Sequence, residues 1–395
     1  MKYDFDQITP RRGSGCYKWD SVTSCLTEGK AAEDVIPMWV ADMDFQTAPA
    51  VVEALRQRVA HGVFGYTLVK ASYYEAIQSW FHRRHGWDIR REWIQYTSGV
   101  VPALSVIVKA FTSPGDRVIL QTPVYNCFFS SVRNNGCEVL SSKLQHCCNL
   151  PNRYEMDFDD LERKARDPRA KLLILCNPHN PVGRVWTREE LSRVYAICKT
   201  NDVIVVSDEI HNELTFRGRR YVPYGVVSQM DNAIICTSPS KSFNTAGLQI
   251  ANIVCANDEW REKIDRAINI NEVCDVNPFG VVALEAAYNE SEDWLDQLCE
   301  YIWQNYEALC RFFQTELPQL RVTPLEGTYL VWVDIRQTGF SSDELTRLLL
   351  EKGRVQVNSG TMYGMEEGEG FIRLNIACPR SQMMEGLRRI KKVIG

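Results

Sequence analysis

Apolar residues along this chain recur in two rhythms, helical and strand-like, and the rhythm switches repeatedly between positions 48 and 290. Pro49 is followed by Val51, Val52, Leu55 and Val59, a stripe at helical spacing with proline where a first turn tolerates it. A second stripe, Val100, Leu104, Ile107, Val108 and Phe111, predicts another helix. Short apolar runs at 117–121, 171–176, 203–207 and 233–237 predict buried strands. Between the second and third of these lies a helical stretch, 187–199, which Thr187 and Glu190 open as a capping box. Strands that are apolar throughout and alternate with helices predict a mostly parallel sheet covered on both faces.

After about residue 294 the pattern changes. A long amphipathic segment runs to about 317 and is closed by Pro318. A strand at 329–335, a helix at 343–351, a strand at 371–376 and a last helix to about 393 follow. This predicts a smaller α+β domain joined by the N-terminal arm. The expected division is 1–47 as arm and part of the small domain, 48–290 as the large domain, and 291–395 as the small one. No Gly/Ser linker separates the two, so a site in the cleft between them is expected.

Composition narrows the function classes. A chain of 395 residues is too long for one compact core. A net charge of −5 offers no electrostatic footprint for nucleic acid or an anionic membrane. No apolar run reaches the ~18–20 residues of a membrane helix. The opening residues mix charge and aromatics unlike a signal or transit peptide, so a cytoplasmic protein is expected. The 14 cysteines include no C-x-x-C pair, and Cys176, Cys236 and Cys255 sit in apolar runs as small hydrophobes. His82 and His85 lie three apart without further ligands nearby, which predicts a solvated helix face and no metal.

Candidate chemistry gathers where the predicted strands end. After 233–237 comes Ser238-Pro239-Ser240-Lys241-Ser242-Phe243-Asn244. Lysine is the side chain that forms a Schiff base with an aldehyde, and shelter lowers its pKa for that role. The hydroxyls of Ser238 and Ser240 suit a phosphate. After 203–207 comes Asp208, with His211 three residues on. An acid at such a strand end can pair with a protonated pyridine nitrogen. After 171–176 comes Asn177-Pro178-His179-Asn180-Pro181, two Asn-Pro steps that make an extended turn and leave an amide for a ligand. Gly99 opens the helix that begins with Val100 and Val101, where backbone N–H groups face a phosphate. Tyr125 follows another strand and offers a ring to stack. Taken singly, each is ordinary: a loop lysine, a capping Asp, an Asn-Pro turn, a glycine before a helix.

In this order they resemble the fold type I, pyridoxal-5′-phosphate (PLP)-dependent aminotransferase class I/II superfamily, over nearly the whole chain. The resemblance implies that Lys241 bonds to the cofactor and shuttles the proton, with Asp208 on the ring nitrogen and Tyr125 stacked on the ring. Asn180 would meet the ring hydroxyl and the substrate. Gly99, Val100, Val101, Ser238 and Ser240 would hold the phosphate, and Arg373, in Phe371-Ile372-Arg373-Leu374-Asn375, the substrate carboxylate. Tyr66 would reach the phosphate of a neighbouring subunit, so a homodimer with shared sites is implied.

Two positions depart from the aminotransferase pattern. His211 stands where a tyrosine is usual, and is counted with the cofactor-binding residues, while Gln249 stands where an arginine binds phosphate. Both departures, and the run Ile36-Pro37-Met38-Trp39-Val40-Ala41-Asp42-Met43-Asp44-Phe45, resemble the branch of MalY/PatB-like carbon–sulfur β-lyases. That branch implies α,β-elimination from L-cystathionine or a related cysteine S-conjugate, with the run beside the cofactor. Transamination shares the first steps, and a regulatory protein of the same fold is a further alternative, since fold does not fix function. No G-x-G-x-x-G follows any strand, which disfavours a dinucleotide-binding enzyme.

Overall fold

The computed structural model describes residues 2–21, 34–147, 153–270, 272 and 274–395. The four predicted strands form at Arg117–Leu120, Ala170–Cys176, Ile204–Asp208 and Ala233–Thr237, neighbours in one seven-stranded sheet. They run parallel to one another and to an edge strand, Glu138–Ser141. The nearly continuous apolar runs of the four predicted strands have a direct cause. Leu172, Ile174 and Cys176 point into one apolar cluster, and Leu173 and Leu175 into another on the opposite face. Side chains alternate across a strand, so a strand covered on both sides carries apolar residues in both alternating sets. Helix Val100–Phe111 covers one face through Ala103, Leu104 and Ile107, while Ala71–His85, Arg188–Thr200 and Pro278–Glu290 cover the other.

Three strands of this sheet lie outside the sequence expectation, the edge strand Glu138–Ser141, Ile94–Thr97 and Ala251–Cys255, and the last of them reverses direction. Ala251–Cys255 runs antiparallel between Ala233–Thr237 and Ile94–Thr97. Its apolar run is interrupted by Asn252, which is fully buried and accepts a hydrogen bond from the Tyr73 hydroxyl at 2.6 Å. Ile94–Thr97 is only four residues long and half polar, too short for a periodicity signal. The reversal matters for the site. It brings Gln249 and Ile250, at the start of the antiparallel strand, to the edge where the parallel strands end.

The C-terminal part builds a second, four-stranded sheet in the order Arg321–Val322, Leu330–Asp334, Phe371–Asn375, Asn358–Ser359. The predicted long helix spans Glu292–Glu316 and stops before Pro318. The N-terminal arm is tied in twice. Ile36–Pro37 pairs in parallel with Val355–Gln356, and Phe5 packs edge-on against Phe45 and Trp294 at ring-centroid distances of 5.3 and 5.8 Å. Such aromatic contacts hold a segment that has little secondary structure of its own. Among the described residues, no helix is long and apolar enough to cross a membrane.

Candidate active site

Five segments that leave carboxyl ends of strands converge on one cavity of about 200 Å³. Its wall includes Ser98, Gly99, Val100, Val101, Tyr125, Asn180, Asp208, His211, Ser238, Ser240, Lys241 and Gln249. Open α/β sheets place ligands at this edge because every loop there faces the same crevice. Arg373 closes the site from the small sheet: its guanidinium donates to Asn180 Oδ1 at 3.1 Å. Tyr66 is not part of this wall and is 97% exposed on the surface of the same chain.

Burial sets the protonation of the central groups. The Lys241 amine is pushed down to about 8, first by burial and further by the nearby Arg373, against the opposing pull of Asp42 and Asp208. Asp208 is pushed up to about 7 by burial, opposed by the Ile210 backbone N–H and by Lys241. His211 is driven far down by burial and by the Lys241 and Arg373 charges, so its imidazole is neutral. A lysine near 8 is roughly one-fifth neutral amine at physiological pH, far more than an ordinary lysine, and the neutral amine is the form that attacks an aldehyde. The sign is testable. Recombination of pyridoxal phosphate with cofactor-free protein, followed by absorbance, should speed up with pH and level off above about 8. A rate that keeps climbing to pH 10 would mean an ordinary lysine.

Several polar groups here lack a protein partner, and a ligand would supply one. Arg373 is buried, donates only to Asn180 Oδ1 and, at 2.8 Å, to the Trp39 carbonyl, and its Nε is unpaired. No carboxylate among the described residues pairs with it within 4.0 Å. A buried cation without a counter-ion is costly, so an anion is expected to complete it. Asn180 Oδ1 accepts from Arg373, which leaves the amide N–H groups of this cavity-lining residue as its remaining donors. His211 Nδ1 is buried and unpaired as well.

Beside Gly99 and Ser240 the cavity wall carries neutral groups. Helix Val100–Phe111 directs its first turn at the cavity, and no side chain caps it. Orphan N–H groups and the helix dipole make such an end an anion site. The Ser238 hydroxyl donates to the Ile250 carbonyl at 2.7 Å and accepts from Ser240 N–H at 3.1 Å. Ser240 thus keeps the hydroxyl that is free to donate. Gln249, in a left-handed conformation at φ 51°, sits where a charged partner would be expected. The donor set, the Tyr125 side chain on the cavity wall and the carboxyl of Asp208 together fit pyridoxal phosphate.

Three site features escaped the sequence. The Lys241 amine donates to the Ala41 carbonyl at 2.6 Å, and the Tyr329 hydroxyl donates to the same oxygen at 2.9 Å. The Tyr363 ring lies under the Arg373 guanidinium, 4.8 Å from the ring centre. The run around Trp39 and Phe45 signalled a role beside the cofactor, but a backbone carbonyl and two tyrosines far along the chain carry no local pattern. The histidine pair also differs from expectation. His85 is not on a solvated face: its Nε2 lies 2.7 Å from the buried Glu213 carboxylate, while the exposed His82 pairs with Asp88. No cluster of three metal-ligating side chains occurs among the described residues.

Comparison with known proteins follows the same lines. The family model for aminotransferase class I and II matches residues 33–390. The chain belongs to the aminotransferase class I and II family. It is 41% identical to the cystathionine beta-lyase PatB of Bacillus subtilis, over 99% of this chain and all of that protein. The fold superposes on cystalysin from Treponema denticola, whose structure contains pyridoxal 5′-phosphate, with a TM-score of 0.95 and 34% identity over 100% and 99% of the two chains. A PLP-bound C-S lyase from Staphylococcus hominis matches with a TM-score of 0.91 and 34% identity, over 100% and 98%. All three matches run end to end, so the small sheet and the arm are shared along with the cofactor-edge loops.

Proposed function

We propose that the chain is a PLP-dependent carbon–sulfur lyase, converting L-cystathionine or a related cysteine S-conjugate and water to a thiol, pyruvate and ammonia. The observation that carries a PLP enzyme of amino acids is one arrangement: a sheltered lysine amine, a buried carboxyl at the next strand end, and a buried arginine without a counter-ion, all on one cavity. The names of the relatives support the lyase over its sister chemistry. On this reading the two halves of the site come from two domains, 48–290 and 291–395 with the arm 1–47.

When bound, pyridoxal phosphate supplies an aldehyde that bonds to amines and a ring that draws electron density from the substrate Cα. Lys241 would hold it through the amine, with Asp208 facing the pyridine nitrogen and Tyr125 the ring face. The first turn at Gly99, Val100 and Val101, with Ser240, would hold the phosphate, Ser238 fixing that loop. Asn180 N–H would donate to the ring hydroxyl. Arg373 grips the substrate carboxylate, and a planar fork fixes its orientation as well as its position. Neutral Lys241 would take the Cα proton; the C–H electron pair would become the Cα=Cβ bond while the Cβ–S pair leaves with sulfur, which a proton then neutralises. The test is to supply L-cystathionine with no keto acid. Sustained, equimolar pyruvate and homocysteine over many turnovers is expected. A single turnover that resumes only on adding a keto acid would mean an aminotransferase.

We infer further that the enzyme works as a homodimer. Val63, Phe64, Tyr66 and Leu68 stand exposed together, a concentration of apolar surface that favours burial against a second copy. Tyr66 would then reach the neighbour's phosphate and add a donor where Gln249 offers no charge. Sedimentation should find a dimer, and full activity from a strict monomer would exclude shared sites.

A further inference from the structure

Residues 39–45 cross the mouth of the site with no regular secondary structure, and side chains fixed elsewhere hold their backbone. Asn375 Nδ2 donates to both the Val40 and Asp42 carbonyls at 2.6 Å. Asn244 Nδ2 donates to the Met43 and Phe45 carbonyls at 3.0 and 2.8 Å, and its Oδ1 accepts from Met43 N–H at 3.0 Å. Arg373 takes the Trp39 carbonyl. The Ala41 carbonyl in the middle is directed at the catalytic lysine, and it receives two donors: Lys241 Nζ and the Tyr329 hydroxyl. A carbonyl oxygen has two lone pairs, so these two bonds fill it and fix its direction.

Tyr329 is fully buried, and burial raises its phenol far above the ordinary tyrosine value, so it stays a donor at any working pH. Its ring stands edge-on to His211, centroids 5.9 Å apart, at the start of strand Leu330–Asp334. The small sheet therefore reaches the reacting lysine through one hydroxyl and one backbone carbonyl.

We propose that Tyr329 is a positioning residue for proton transfer by Lys241: its hydroxyl, with Asn375 on the flanking carbonyls, fixes the Ala41 oxygen, and that oxygen holds the lysine amine whenever it is not bonded to the cofactor. A neutral amine has two N–H bonds and one lone pair. With one N–H tied to Ala41, the lone pair is confined to the remaining directions, on the cavity side. An untethered amine on a four-carbon stem samples many rotamers, and proton transfer requires close, aligned approach. In the step itself, the Cα–H bond breaks, its electron pair stays with carbon, and a new N–H bond forms on Nζ. The same amine, held at the same point, then returns to the cofactor when product leaves.

The proposal rests on Lys241 being the lysine that serves the cofactor, and the test is Tyr329→Phe in the holoenzyme, where the ring remains and only the hydroxyl goes. Three results are expected: kcat about tenfold lower with KM within twofold, a larger isotope effect with substrate deuterated at Cα, and a Tm within a few degrees of the parent. A further measurement avoids the lyase reaction altogether. The cofactor is drawn off Lys241 with L-alanine, which has no β leaving group, and its return to the lysine on dilution is followed by absorbance. That return should be about tenfold slower in the variant. Normal return in a parent enzyme that releases no thiol would count against the lyase reading alone. Return and kcat both within twofold of the parent would overturn the positioning role, and a variant that loses its fold would overturn it too, by making the hydroxyl structural.

Discussion

Lys241→Ala will hold no cofactor that borohydride can fix and will show no turnover. The expectation follows from geometry before chemistry. Lys241 stands at the end of a fully buried strand, on the wall of the cavity, with its amine already within 2.6 Å of the Ala41 carbonyl. Lysine is absent from the rest of that wall. Truncation removes both the amine that bonds to the aldehyde and the base for Cα, so neither half of the chemistry survives. The fold should persist, because the alanine leaves the strand, the serine turn and both apolar clusters in place. Mass spectrometry after borohydride is the check, and covalent cofactor on any other lysine would overturn the assignment.

Asp208→Asn is expected to keep the fold and bind pyridoxal phosphate yet lose turnover by roughly a thousandfold, about 4 kcal/mol of barrier. Asp208 is buried, and its carboxyl accepts the Ile210 backbone N–H at 3.1 Å, a contact asparagine can also make. What asparagine cannot do is carry a negative charge beside a protonated ring nitrogen. Burial pushes the carboxyl up to about 7 in the chain alone, so it needs a cation to ionise fully, and a pyridinium is such a cation. The loss should fall on kcat, since the interaction strengthens as charge builds in the ring. Turnover within tenfold of the parent would remove Asp208 from that role.

Lys241 and Asp208 can both be picked out in the sequence, and that reflects how such a sheet is encoded. Strands Ala170–Cys176, Ile204–Asp208 and Ala233–Thr237 are legible because a strand buried on both faces reads as a short, nearly continuous apolar run. Once those strands are placed, the residues that follow them share one edge, so Asn180, Asp208, His211, Ser238, Ser240 and Lys241 are assembled by topology. The capping box at Thr187 and Glu190 forms as expected, being purely local.

What the sequence did not carry depends on contacts between distant segments. The antiparallel direction of Ala251–Cys255 is a property of its neighbours, since a short, mostly apolar strand reads the same in either direction. Arg373 lies on its strand like any arginine; that it is buried, unpaired and facing Asn180 follows only when the small sheet docks across the cavity. The Ala41 carbonyl has no side chain to mark it, and Tyr329 is one tyrosine among 16 until folding brings both to Lys241. Periodicity and strand-end chemistry are written residue by residue, and they determined the sheet, its functional edge and the lysine. The tertiary structure decided which way the amine points and what holds it there, because hydrogen-bond direction between segments 200 and 288 residues apart is set by packing.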